Sequence, residues 1–161
     1  MNERLRDALR FREQGQLELS NTLLLELVQA YPEDAFIHYQ CAWSFDVLGA
    51  EAQAVPYYEK SISLGLPDEH LENAFIGLGS TYRTLGAYEQ SKATFLRGIE
   101  AFPHNKAMQT FYALTLYNLD EHKEAMHLLL TCLLDTTTDE NIKQYKRALT
   151  FYADHLDDIF P

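Results

Sequence analysis

Cysteine is scarce in this chain. Two residues, Cys41 and Cys132, stand far apart in a sequence of 161, which rules out a disulfide framework or a metal quartet. Each sits in an apolar helical pattern and reads as a buried, reduced thiol. Glycine and proline are also few, at seven and five, which excludes a low-complexity or disordered chain. No window approaches the roughly 18 uninterrupted apolar residues that a membrane-spanning helix needs. The opening MNERLRDALRFREQG mixes arginines with Glu3, Asp7 and Glu13 and lacks the apolar stretch of a signal peptide. A cytoplasmic setting without a membrane partner is therefore expected. Positive charge is the last shortage: 13 Lys and Arg against 24 Asp and Glu leave a net charge of -11. Such a field repels phosphate backbones, so nucleic acid is not an expected partner, whereas basic protein partners are permitted.

Motifs that carry chemistry are missing too. In HKEAMH, His122 and His127 are five residues apart and point in different directions on a helix, unlike the i, i+4 pair that binds a metal. GLGSTYRTLG has the glycines of a phosphate loop but no preceding strand and no lysine placed for phosphate. Asp157 and Asp158 adjoin near the chain end without the burial that acid-base work requires. The reading is a protein with no catalytic residue, no metal site and no cofactor.

What the chain does have is a period. LGAYEQSKATF from residue 85 repeats LGAEAQAVPYY from residue 48, and the pattern returns as LDEHKEAMHLL from 119 and QGQLELSNTLL from 14. The spacings are 34, 37 and 34 residues, and a period in this range fixes an architecture. Each unit reads as two helices joined at Gly15, Gly49, Gly86 or, less favourably, Asp120. Pro32 and Pro103 follow the second helices of units one and three. In unit two LGLPDEH does that job, and its extra residues read as a longer link.

The first helices pair a small residue with a bulky one three places on: Ala8 with Phe11, Ala42 with Phe45, Gly79 with Tyr82, Ala113 with Leu116. The second helices answer with Ser20, Ala54, Ser91 and Ala125 followed by Leu24, Tyr58, Phe95 and Leu129. Small residues facing large ones let helix axes approach closely. Pro56 falls where a helix interior is expected and predicts a late or bent start. From Asp139 onward Ile142, Tyr145, Leu149, Tyr152, Leu156 and Ile159 form one helical stripe. That stripe predicts a helix over about 139–159, either capping the last repeat or forming a seam between two chains.

The pattern resembles the tetratricopeptide repeat, whose signature runs Trp, Leu-Gly, Tyr, Ala, Phe, Pro over 34 residues. Unit three matches best, with Phe75, Leu78-Gly79, Tyr82, Ser91, Phe95 and Pro103; Arg4, His38 and Gln109 replace the first aromatic elsewhere. The resemblance implies an all-α, right-handed solenoid forming one domain, with hairpins over about 1–34, 35–71, 72–105 and 106–138 and a C-terminal capping helix. It also implies a noncatalytic module that holds a protein or peptide partner in a concave groove.

By that resemblance the groove is lined by Leu5, Leu9 and Arg12; Phe36, Tyr39, Trp43 and Asp46; Asn73, Ile76, Ser80 and Arg83; and Thr110, Leu114 and Tyr117. The lysine, asparagine and arginine that clamp C-terminal carboxylates in some family members are absent, so a mixed amphipathic segment fits better. Trp43, Tyr39 and Tyr117 either anchor that segment or pack between repeats. The alternative is a homodimer that uses the same groove or the C-terminal helix.

Overall fold

The turns set the architecture. In the computed structural model, which describes residues 3–161, Gly15, Gly49 and Gly86 take φ values of 76°, 69° and 75°, and Asp120 takes 61°. This left-handed conformation is open to glycine and costs an ordinary residue about 1 kcal/mol. The next amides, of Gln16, Ala50, Ala87 and Glu121, donate to the carbonyls of Phe11, Phe45, Tyr82 and Leu116 at 2.8, 3.0, 2.9 and 2.9 Å. The same cap thus closes the first helix four times, always on the bulky member of the small-large pair.

Four hairpins follow: α1 (Glu3–Glu13) with α2 (Leu17–Ala30), α3 (Ala35–Val47) with α4 (Glu51–Ser63), α5 (Asp68–Thr84) with α6 (Tyr88–Ala101), and α7 (Lys106–Asn118) with α8 (His122–Thr136). The chain ends in α9 (Glu140–Gln144) and α10 (Lys146–Asp154). Each hairpin packs on the next, and α3 also touches α5 directly, as α5 touches α7. The first helices therefore line the inner side of the stack.

Close packing rests on the small residues. A Cβ added at Gly79 would lie 2.6 Å from the ring of Phe95, and one at Gly98 would lie 2.5 Å from Met108 Sδ. Ser91, fully buried, donates its hydroxyl to the Gly79 carbonyl at 2.7 Å and sits 2.8 Å from Thr115 Oγ1. One small polar side chain thereby ties α5, α6 and α7 together. At the degenerate signature positions polar closure replaces aromatic packing: His38 Nε2 and Gln109 Nε2 donate to the carbonyls of Pro32 and Pro103 at 2.9 and 2.7 Å. Phe75, by contrast, is buried among Phe95 and Met108.

Three expectations are corrected. The extra residues before unit three lie in a helix and not in a longer link: α5 starts at Asp68 and carries one additional N-terminal turn, favoured by Asp68 and Glu69 at the positive helix end. α4 starts on time at Glu51 and runs through Pro56, which is exposed in the second turn. The terminal helix breaks at Tyr145 and ends at Asp154, so the stripe is not one continuous helix.

α10 packs on α8 with Ala153 buried and Leu149 half-buried, while Lys146 and Thr150 stay exposed at the rim beside Thr131 and Asp135. His127 Nδ1 lies 3.2 Å from the Ala153 carbonyl and from Asp154 Oδ1, and Lys123 lies 3.4 Å from Asp157. Tyr145 and Tyr152 of the stripe stay 63% and 52% exposed.

Candidate functional site

The inner row of first helices forms a depression between α3 and α5. A cavity of about 470 Å³ there is lined by Tyr39, Gln40, Trp43 and Asp46 from α3, Tyr58 from α4, and His70, Asn73, Ile76 and Gly77 from α5. Five of the fourteen groove residues expected from sequence, Tyr39, Trp43, Asp46, Asn73 and Ile76, thus border one cavity. Arg12 joins them from α1: its guanidinium carbon lies 3.8 Å from the Trp43 ring centre, and Nη2 donates to Gln40 Oε1 at 2.7 Å.

These residues play different parts. Trp43 is 40% exposed, whereas Tyr39 is 6% exposed and belongs to the core that joins α3, α4 and α5. Tyr39 is held against Trp43, Tyr58 and His70 with ring centres 6.2, 6.3 and 5.8 Å away. Packing between repeats thus describes Tyr39, while Trp43 presents surface. Leu9 is half-buried against the first core, and Leu5 is wholly taken up by it. Asn73 is exposed and Ile76 half-buried.

Further along the row, Arg83 Nη1 donates to Asn118 Oδ1 at 3.2 Å, Leu114 is exposed, and Tyr117 is 64% exposed with its ring 4.9 Å from His122. These residues lie outside the cavity but continue its surface toward α7.

Asp46 forms the floor. Its carboxylate accepts from the Tyr58 hydroxyl at 2.6 Å and from Thr81 Oγ1 at 3.1 Å. Gly77 makes the first of these bonds possible, because a Cβ there would lie 2.5 Å from the Tyr58 hydroxyl. Burial raises the Asp46 carboxyl above its ordinary range, with the two hydrogen bonds pulling it back, and burial likewise pushes the Tyr58 hydroxyl well up. A carboxyl raised by folding holds its proton more tightly folded than unfolded. Stability therefore falls as pH rises from the unfolded value through the folded one. Asp46→Asn should remove this dependence while keeping an acceptor for Tyr58. Melting curves over a pH series should show the wild type losing stability relative to the variant from acid toward neutrality; a constant difference would mean that the floor carboxyl is not raised.

The cations on this surface are not paired with carboxylates. Among the described residues neither Arg12 nor Arg83 makes an ion pair. Arg12 Nη1 and Arg83 Nε are buried without a hydrogen-bond acceptor among the described residues. Burial lowers the Arg12 pKa, opposed by nearby Tyr39, Glu13 and Tyr58.

Sequence reasoning missed Gln40 and His70. Gln40 lies one residue off the expected row, yet it lines the cavity and accepts from Arg12. His70 sits on the additional turn of α5, with its ring 4.6 Å from Phe36 and 5.8 Å from Tyr39. The 37-residue spacing marked that turn, but it could not show that the inserted residues extend a helix over the groove.

Comparison with known proteins agrees with the geometry. A family model described as tetratrico peptide repeat matches residues 35–156. Superkiller protein 3 of Saccharomyces cerevisiae is 23% identical over 108 residues, which is 63% of this chain but 7% of that protein. The chain thus spans a small fraction of the curated relative it matches. Among solved structures, MamA 41-end from Desulfovibrio magneticus RS-1 superposes with a TM-score of 0.74 at 14% identity, covering 99% of both chains. YrrB, described as a TPR protein with an unusual peptide-binding site, superposes with a TM-score of 0.72 at 14% identity, covering 96% of this chain and 78% of that one.

Proposed function

Because the chain belongs to the tetratricopeptide repeat family, we propose that it is a noncatalytic protein-interaction module that holds a peptide or helix of a partner along its inner surface, from Arg12 to Tyr117. The observation that carries this reading is Arg12 lying over the exposed Trp43 with no carboxylate partner among the described residues. A guanidinium on an aromatic face is a ready contact for a carboxylate-bearing segment, and the ring beside it offers an apolar anchor. The absence of ion pairs at Arg12 and Arg83 is notable in a chain with a net charge of -11. A ligand that fits brings acidic side chains to both arginines and an apolar side chain to Trp43. The peptide-binding site named for YrrB, a protein of the same fold, supports the general mode.

Peptides selected from a random display library on the purified protein provide the test. They should combine acidic residues with an aromatic or aliphatic one. Arg12→Ala with Arg83→Ala should weaken them and flatten the dependence of affinity on salt. Selected peptides that bind this double variant unchanged at every salt concentration would remove the inner surface from consideration.

Self-association is the second reading. The exposed Tyr145 and Tyr152 favour it at the C-terminal helices and not in the groove.

A further inference from the structure

Arg12, Asp46, Arg83 and Tyr117 hold one equivalent place in four successive hairpins. Each of their backbone carbonyls accepts from the left-handed turn residue that follows, Gly15, Gly49, Gly86 or Asp120, at 3.0, 3.0, 3.0 and 3.2 Å. The row therefore reads cation, carboxylate, cation, aromatic from the first hairpin to the fourth. Among the described residues the three charges have only neutral hydrogen-bond partners: Gln40 for Arg12, Tyr58 and Thr81 for Asp46, and Asn118 for Arg83. None of the three forms an ion pair there, although opposite charges alternate from one hairpin to the next. The neutral partners hold each charged group in place without neutralising it, so a ligand meets charges that are already positioned.

Helix stability accounts for the two arginines and not for the carboxylate. All three lie in the last turn of a first helix, where the negative end of the helix dipole favours cations and disfavours Asp46. Burial makes the charge of Asp46 costlier still. The Tyr58 hydroxyl needs an acceptor at this point, which a neutral amide oxygen would also supply. Each Asp46 oxygen takes one hydrogen bond, from Tyr58 or from Thr81, which leaves about half of the carboxylate's acceptor capacity open. That carboxylate borders the cavity between α3 and α5, in company with Trp43 and Ile76.

Resting on the groove reading above, we infer that the partner segment carries an acidic, a basic and again an acidic side chain in that order, set against Arg12, Asp46 and Arg83, with an apolar one following at the exposed Tyr117. The basic side chain is a lysine or arginine that lays its apolar stem along Trp43 and Ile76 and brings its charged head to Asp46. Packed helices lie roughly 8–10 Å apart, so the three charges recur about every three residues in an extended segment or about every six or seven in a helix. A uniformly acidic segment is rejected, because it sets a carboxylate against Asp46. The aromatic residue stands at one end of the row alone, so the segment lies along the groove in one direction.

Peptides selected from a random display library on the intact chain are the probe. An acidic, basic, acidic order should recur among them. Replacing the basic residue of a selected peptide by glutamine should weaken its binding to the unaltered protein at least about tenfold, and Asp46→Asn should weaken the original peptide by a similar factor. The two changes together should cost little more than either alone, since both remove the same pair. The peptide change leaves the protein untouched and so reports on the contact even where Asp46→Asn lowers the melting midpoint. Selected peptides that lack a basic residue between acidic ones, or full additivity of the two changes, would overturn the inference; weaker binding to the Arg12→Ala, Arg83→Ala variant would then still place the peptide in the groove. Peptides that bind that double variant unchanged would overturn the groove reading and this inference with it.

Discussion

Gly79→Leu should lower the stability of the protein by about 3 kcal/mol or more, the cost of forcing extra methylenes into a filled core, and the melting midpoint by roughly 10 °C for a chain of this size. The first added carbon would already stand 2.6 Å from the Phe95 ring. That ring is fully buried and has no free space to swing into. Close approach at Gly79 also sets the 2.7 Å bond from Ser91 to its carbonyl, so moving α6 outward would strand a buried hydroxyl. Phe95→Ala alone should cost about 3–5 kcal/mol through its cavity. Combined with Gly79→Leu it should cost less than the sum, because the new side chain occupies the space left by the ring. Thermal melting of the three variants checks this. Full additivity would mean that the two residues do not share a contact, and the packing account would fall.

The second large effect concerns binding. Trp43→Ala with Tyr117→Ala should weaken a peptide selected on the inner surface roughly 30-fold, about 2 kcal/mol, the scale of a truncated aromatic anchor. The fold should survive, since both rings are largely outside the core. Tyr39→Ala is the control. Tyr39 packs against Tyr58 and His70, so its truncation should lower the melting midpoint whatever it does to affinity. Calorimetric titration and melting of the same preparations separate the two effects. Unchanged affinity in the Trp43 and Tyr117 variant would place the bound segment elsewhere.

Much of the fold was legible because glycine and alanine act locally. Gly15, Gly49 and Gly86 announce left-handed turns whatever surrounds them, and Asp120 was readable as their substitute because the other three fixed the register. The small-large code announced the hairpin cores for the same reason.

What was not legible depended on comparing alternatives across space. The stripe from Ile142 to Ile159 has helical spacing, yet the helix breaks at Tyr145, so that Leu149 is half-buried beside the buried Ala153 while Tyr145 and Tyr152 stay exposed. Within the groove, spacing placed Tyr39 and Trp43 on one face, but only the position of α5 decides that one is enclosed and the other exposed. Arg12 was nominated for its charge, whereas its stacking on Trp43 follows from the rotation between consecutive hairpins.

The additional turn of α5 bears on how such a protein could change length. Repeats that meet through identical seats can be duplicated or deleted as cassettes, and the 34-residue spacing between units three and four fits that description. Between units two and three the cassette rule fails. There α5 carries His70 into contact with Phe36 and Tyr39 of the preceding hairpin, a seat that no other junction in the described chain reproduces. The second and third hairpins are therefore a matched pair, joined by a contact that a duplicated 34-residue unit would not reproduce.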